Sequence, residues 1–320
     1  MNIVEANELN VNYLEPENLD RRGLREDGLP VGGRSGWGRI KDYLQLIKPS
    51  LSIMVVFSSV MCYLLVPAVV YNWTMILLLF AGGMLVTGSA NAINQVVERD
   101  TDAVMKRTAK RPVAAGRMTV EEGWGFAILT GAAGIFLLGY YFNWLAAGLA
   151  AFSLFLYAFI YTPLKKVSAI AVFVGAFPGA LPCLIGWAAG DNKLSTGGWV
   201  LFALQFLWQF PHFWAIAWIA HQDYTAAGFK LLPAEKGPTK YTAIQTIIYS
   251  LLMIPVGLIP YFVHMSGVVS LVIVLLANLF MIGRCVNLYR KMNAQAARKV
   301  MFGSYIYLPV VYLALLADKL

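Results

Sequence analysis

TMILLLFAGGMLVTGSANAINQVVERDTDAVMKRTAKRP, residues 74–112, decides how the rest of the chain is read. It begins as an uncharged apolar run of the length that crosses the hydrocarbon of a bilayer, about 20 residues. Then, with no loop residues between, it turns into a segment dense in charges of both signs, which reads as a polar helix continuing from the apolar one. The whole chain repeats the first half of this pattern. Of 320 residues, 59% are hydrophobic and 13% charged, too apolar for a soluble domain. Apolar runs fall at about 51–70, 74–94, 122–140, 143–161, 167–189, 197–219, 241–262, 267–287 and 301–318, predicting an all-α integral membrane protein of nine transmembrane helices around a central cavity.

Residues 1–37 differ. They carry Glu5, Glu8, Glu15, Glu17, Asp20, Glu26 and Asp27 among arginines and glycines with little to bury, so a disordered cytoplasmic tail is expected there. No basic-then-apolar leader precedes them, and their acids argue against a mitochondrial transit peptide, which points to a bacterial inner membrane. The next segment, WGRIKDYLQLIKPS, mixes Trp37, Tyr43, Leu44 and Ile47 with Arg39, Lys41 and Lys48 and is expected along the interface.

Charge placement sets topology. With nine spans, 23 of the 25 Lys and Arg fall on one side; only Lys193 and Lys319 fall on the other. By the positive-inside rule the N-terminus is cytoplasmic and the C-terminus periplasmic. The net charge of +8 is thereby explained by topology, and a nucleic-acid partner is excluded. Cys62, Cys183 and Cys285 sit inside spans without metal-ligand spacing and read as small apolar filler.

Within the charged segment, Asn94, Glu98 and Asp102 recur every four residues and so share one helical stripe. Their first-to-last rise of about 12 Å is too long for one Mg²⁺ but suits ions flanking a larger anion such as a diphosphate. Against this stands simple pairing of Asp102 with Arg99 or Lys106 at helical spacing. That bland reading weakens for the trio, because carboxylates near membrane depth are costly and usually functional. Of the basic residues that follow, Arg107 and Arg111, four apart, are the better phosphate contacts; the others anchor the loop.

Other loops on that side repeat the chemistry. Lys165 and Lys166 follow the fourth span, Asp223 the sixth, and Arg290 and Lys291 the eighth. Acid and base alternate at every second span, suggesting two similar four-helix halves. Pro178 and Pro182 in GAFPGALP are expected to kink the fifth span, and its glycines to permit close packing. The sixth span is crowded with Phe206, Trp208, Phe210, Phe213, Trp214 and Trp218, which serve packing or wall a pocket for a polyisoprenoid. His212 lies among them, where hydrogen bonding across helices competes with a ligand role.

Nine spans, N-x-x-x-E-x-x-x-D after the second, Y-T-x-x-K-K after the fourth and an aspartate after the sixth resemble the UbiA superfamily of intramembrane prenyltransferases. The M-K-R-T and P-H-F-W neighbourhoods are similar to its haem-modifying branch, over roughly residues 40–318. The resemblance implies a UbiA-type fold over residues 38–320 and transfer of a farnesyl group from farnesyl diphosphate to a vinyl group of haem B, giving haem O. It implies Mg²⁺ as cofactor, held by Asn94, Glu98 and Asp102 on one side and near Asp223 on the other. Arg107, Arg111, Lys165 and Lys166 would bind diphosphate, and His212 is taken as a haem contact. Membrane lipid surrounds the chain, and a haem A synthase or a terminal oxidase stands as candidate assembly partner. Two departures from the superfamily pattern stand out: Glu98 replaces an aspartate, and Ala227, four residues past Asp223, leaves the second motif with one carboxylate. Rival readings are prenylation of a quinone precursor and a non-catalytic transporter or oxidase-assembly factor. A transporter should carry ionisable groups in mid-span, whereas here they gather at the span ends.

Overall fold

The computed structural model describes residues 36–234 and 237–320. The expected tail therefore lies, up to residue 35, outside the described residues; Gly36 and Trp37 already belong to the first helix. In chain order the helices are α1 (Gly36–Ile47), α2 (Pro49–Leu65), α3 (Trp73–Val97), α4 (Arg99–Val104), α5 (Val120–Tyr141), α6 (Trp144–Phe155), α7 (Thr162–Leu164), α8 (Ala171–Asp191), α9 (Thr196–Ile219), α10 (His221–Ala226), α11 (Lys240–Phe262), α12 (Val268–Lys291) and α13 (Ala294–Ala317). A π-helical segment, Leu156–Tyr161, joins α6 to α7. Eight helical stretches among the described residues are long and apolar enough to cross a bilayer, and counting α1 with α2, bent by 47°, as one broken span brings the number to nine.

Neighbouring spans pack in sequence order, and α13 returns to α2, so the helices close a ring. Inside it α2 also packs on α8 and α9 on α13. Two apolar cores meet on α2 and α8: one holds Tyr63, Leu79, Leu138 and Ala147, the other Cys62, Cys183, Leu204, Met281 and Tyr312.

Where lipid replaces water, an unpaired backbone group is costly, and two irregular places in the bundle show how the chain avoids that cost. The first is the bend at Lys48, a non-glycine residue with φ of 48°. It ends α1 and would orphan that helix's last carbonyls. Side chains of α3 take them: Gln95 Nε2 donates to the carbonyls of Gln45 and Leu46, and Asn91 Nδ2 donates to that of Ile47. Ser52 Oγ adds a second bond to Ile47 O at 2.7 Å. Pro49 then opens α2 at a position where its missing N–H costs nothing.

The second place is α8, which contains Pro178 and Pro182. Pro182 cannot donate to the carbonyl of Pro178, and Ser153 Oγ reaches that oxygen instead. Gln205 and Gln209 of α9 donate to the carbonyls of Gly179 and Ala176 at 2.8 and 2.9 Å. Glycine lets backbones approach here: a Cβ on Gly186 of α8 would collide with the Ser59 carbonyl of α2.

The two faces of the bundle differ in chemistry. On one, Lys319 Nζ donates to the carbonyls of Leu64 and Val66 at the end of α2, while Asp318 accepts from the N–H of Ser270 at the start of α12. The opposite face carries α4, α10 and the segment around Lys165. Replacing Gly186 with alanine forces α2 and α8 apart at the seam between the two cores. The expected cost is about 1–3 kcal/mol, typical of overpacking, read as a lower thermal midpoint of the detergent-solubilised protein than that of a Gly36→Ala control, where an added methyl meets nothing.

Candidate functional site

The charged face is built at the end of α3. Asn94 lies in its last turn, Glu98 at the junction with α4 and Asp102 inside α4. The helix breaks at Glu98, yet Glu98 N still bonds Asn94 O and Asp102 N bonds Glu98 O at 2.7 Å, so the spacing of the stripe survives. The polar segment is shorter as a helix than its sequence suggests. It ends at Val104, and residues 105–118 run as successive turns in which Thr108 N bonds Met105 O and Arg111 N bonds Thr108 O.

All three side chains are buried. Lys165 Nζ pairs with Glu98 Oε1 at 2.9 Å. Arg111 Nη1 reaches both carboxylate oxygens of Asp102 at 2.7 Å, and Thr108 Oγ1 donates to the backbone carbonyl of Asp102. Asp102 thus pairs with neither Arg99 nor Lys106; Arg99 lies instead against exposed Asp100 at 3.4 Å. Burial pushes the Asp102 carboxyl above the usual aspartate range, and Arg111 pulls it back only in part. Asn94 Oδ1 accepts from Tyr157 at 3.4 Å, while its Nδ2 is buried without a partner.

Three loops converge here. The π-helical segment, a form that often marks functional sites, brings Tyr157 beside Asn94 and lays Tyr161 against Lys165, whose Nζ stands 4.6 Å from that ring's centroid. The segment after α10 returns so that Lys230 N donates to Lys165 O and Phe229 faces the Lys165 ammonium. Arg107 Nη2 donates to Tyr224 of α10 at 2.9 Å, linking the turn after α4 to that helix. Lys48, on the bend, lies within electrostatic reach of Arg111, Lys165, Asp102 and Glu98, and its burial works against the charged form.

Sequence-predicted residues therefore divide. Asn94, Glu98, Asp102, Arg111 and Lys165 come together. Arg107 belongs to a neighbouring cavity with Tyr224, and Lys166 is exposed. Asp223 is half-buried on α10 and makes no ion pair among the described residues. His212 is buried on α9, stacked on Trp208 with centroids 4.8 Å apart, and its Nδ1 lies 2.7 Å from Ser304 Oγ on α13. Sequence reasoning missed Lys48, Tyr157, Tyr161 and Tyr224. Available signals were the Lys48–Pro49 step and the four-residue spacing of the two tyrosines in YAFIY.

No group of three His, Cys, Asp or Glu side chains forms a ready metal cage among the described residues. An amide oxygen and two carboxylates nevertheless form a hard-oxygen set of the kind Mg²⁺ uses when substrate phosphates complete its shell. An amide, two carboxylates and the two cations that pair with them thus meet at one end of the bundle.

The chain belongs to the UbiA prenyltransferase family, whose sequence profile matches residues 55–307. It is a multi-pass membrane protein. Within the family it is similar to the protoheme IX farnesyltransferases of Cytophaga hutchinsonii, 45% identical over 87% of this chain and 97% of the relative, and of Flavobacterium johnsoniae, 40% identical over 87% and 94%. Its fold is that of a membrane digeranylgeranylglyceryl phosphate synthase (TM-score 0.73, 21% identity, 88% of this chain and 98% of the other). It is shared by a UbiA homologue from Archaeoglobus fulgidus bound to GPP and Mg²⁺ (TM-score 0.61, 14% identity, 86% and 99%).

The Lys165–Glu98 pair yields a stability prediction. Lys165→Met leaves a buried carboxylate unpaired and is expected to cost about 3–5 kcal/mol, whereas Lys165→Met with Glu98→Leu removes both charges and recovers most of it. Thermal unfolding of both variants in one detergent checks this.

Proposed function

We propose that this protein transfers the farnesyl group of farnesyl diphosphate to a vinyl group of haem B, forming haem O at the cytoplasmic face of a bacterial inner membrane. The observation that carries a diphosphate site is the pair of buried carboxylates, Glu98 and Asp102, each held by a cation beside the orphaned amide of Asn94. The acceptor and the prenyl length come from the relatives' names. The sidedness follows from the placement of Lys and Arg, with the N-terminus cytoplasmic and the C-terminus periplasmic.

In this reading Arg111, Lys165 and Lys48 hold the diphosphate oxygens, and exposed Lys166 adds to the field that draws the anion in. Mg²⁺, held by Asn94, Glu98 and Asp102 with Asp223 on the far side of the mouth, would neutralise charge on the leaving diphosphate. The bond between farnesyl C1 and oxygen breaks, and its electron pair leaves with the diphosphate. The π pair of the vinyl group forms the new C–C bond, and water then adds to the carbon next to the porphyrin and loses a proton, leaving a hydroxyethylfarnesyl chain. Tyr157 and Tyr161, with Lys165 over their rings, line the place where positive charge develops and exclude water from it.

His212 is the proposed contact to haem iron. Ser304 Oγ donates to Met301 O at 2.6 Å, so it accepts from His212 Nδ1–H, and that tautomer leaves Nε2 with its lone pair. Ligating histidines commonly have the second ring nitrogen fixed in this way.

The decisive assay incubates purified protein with haem B, farnesyl diphosphate and Mg²⁺ and follows haem O by mass spectrometry. Glu98→Gln and Asp102→Asn are expected to lower kcat/KM by roughly 10²–10³, the scale of losing one preorganised charge contact. Wild-type rates in both variants, or no haem O from the wild type, would refute the reading. His212→Ala is expected to abolish the change in the haem absorption spectrum on binding, and added imidazole to restore it.

A further inference from the structure

A second cavity, of about 200 Å³, adjoins the carboxylate site. Its walls include Tyr161, Gly175, Phe213 and Ile216, and Arg107 and Tyr224 stand at its rim. The two sites share one partition, the Tyr161 ring. Lys165 Nζ lies 4.6 Å from the centroid of that ring, and a Cβ on Gly175 would stand 2.5 Å from the ring's edge, so glycine is what lets the tyrosine stand there. Phe213 in turn meets the His212 ring edge-on at 5.3 Å.

Arg107 is unlike its neighbours. Arg111 and Lys165 each hold a carboxylate, whereas Arg107 among the described residues makes no ion pair; it donates to the Tyr224 hydroxyl at 2.9 Å and lies 5.3 Å from that ring's centroid. A guanidinium held by a phenol over an apolar, aromatic cavity recognises an amphiphile with an anionic head and a flat body. A carboxylate fits that fork in bidentate fashion, while the diphosphate belongs across Tyr161 with the other three cations.

Resting on the transferase reading above, we infer that Arg107, oriented by Tyr224, is the recognition site for a propionate carboxylate of the porphyrin acceptor, and that the cavity behind it takes the carboxylate-bearing edge of the ring. The volume is too small for a whole porphyrin, so the remainder extends past Phe213 toward His212. Arg107 then sets acceptor specificity and takes no part in binding the prenyl donor.

The test compares haem B with its dimethyl ester, which has the same iron and vinyl groups without the carboxylates. Wild type is expected to bind haem B at least tenfold more tightly than the ester by absorption titration without farnesyl diphosphate. Arg107→Gln should erase that preference, leaving KM for farnesyl diphosphate within twofold; Arg107→Lys should restore part of it. Tyr224→Phe, which keeps the ring and removes the acceptor hydroxyl, should weaken the preference without changing the thermal midpoint. Equal binding of haem B and ester by wild type overturns the inference, as does an Arg107→Gln variant that raises KM for farnesyl diphosphate while discriminating against the ester as before. If ester discrimination depends on Arg107 but no haem O forms, the recognition site stands and the transferase reading falls.

Discussion

Two carboxylates buried at the edge of a membrane dictate most of what surrounds them. An isolated ion there costs several kcal/mol in lost hydration, and Glu98 and Asp102 each have a cation, Lys165 and Arg111, within 3 Å. Neither cation is on the helix that carries the acids. Arg111 arrives by the turns after α4, which fold back over Asp102, and Lys165 arrives through the π-helical segment and α7. The site thus ties one local turn, through Arg111, and one segment far along the chain, through Lys165, to the same pair of acids.

Scarcity of water governs the backbone too. At the Lys48 bend and behind Pro182, an amide or hydroxyl from another helix sits on the freed carbonyl: Asn91 and Gln95 at the bend, Ser153 behind the proline. These polar groups in apolar helices are what permit a curved wall in lipid. α8, with its prolines and glycines, and α9, whose glutamines reach it, are the two most deeply buried spans among the described residues.

Spans and the acidic stripe were legible in the sequence because each rests on a local pattern: apolar length and four-residue spacing. Lys165 was legible for the same reason, as a charge at a span end. What local patterns do not carry is partner choice. Spacing offered Arg99 and Lys106 to Asp102, and the fold chose Arg111, because the turn at 105–111 brings Arg111 back over a carboxylate that α4 has already buried. Arg107 and Arg111 look alike in sequence, yet one faces a carboxylate and the other a phenol. Lys48 looked like an interfacial anchor, and only the bend turns it toward the site. Tyr157 and Tyr161 read as ordinary span aromatics, since a π-helical turn leaves no reliable mark in composition.

The end of α3 joins these two demands in one helix. Asn91 and Gln95 hold the bend that carries Lys48, and Asn94 and Glu98, one turn along and about 60° around the axis, hold the chemistry. A cation from α1–α2 and an anion from α3 are therefore placed by the same backbone turn. In the proposed transfer an allylic cation would form, which water destroys on contact. Groups already in place need no solvent to reorganise around them, and the rings of Tyr157, Tyr161 and Phe229 already surround the Lys165 ammonium.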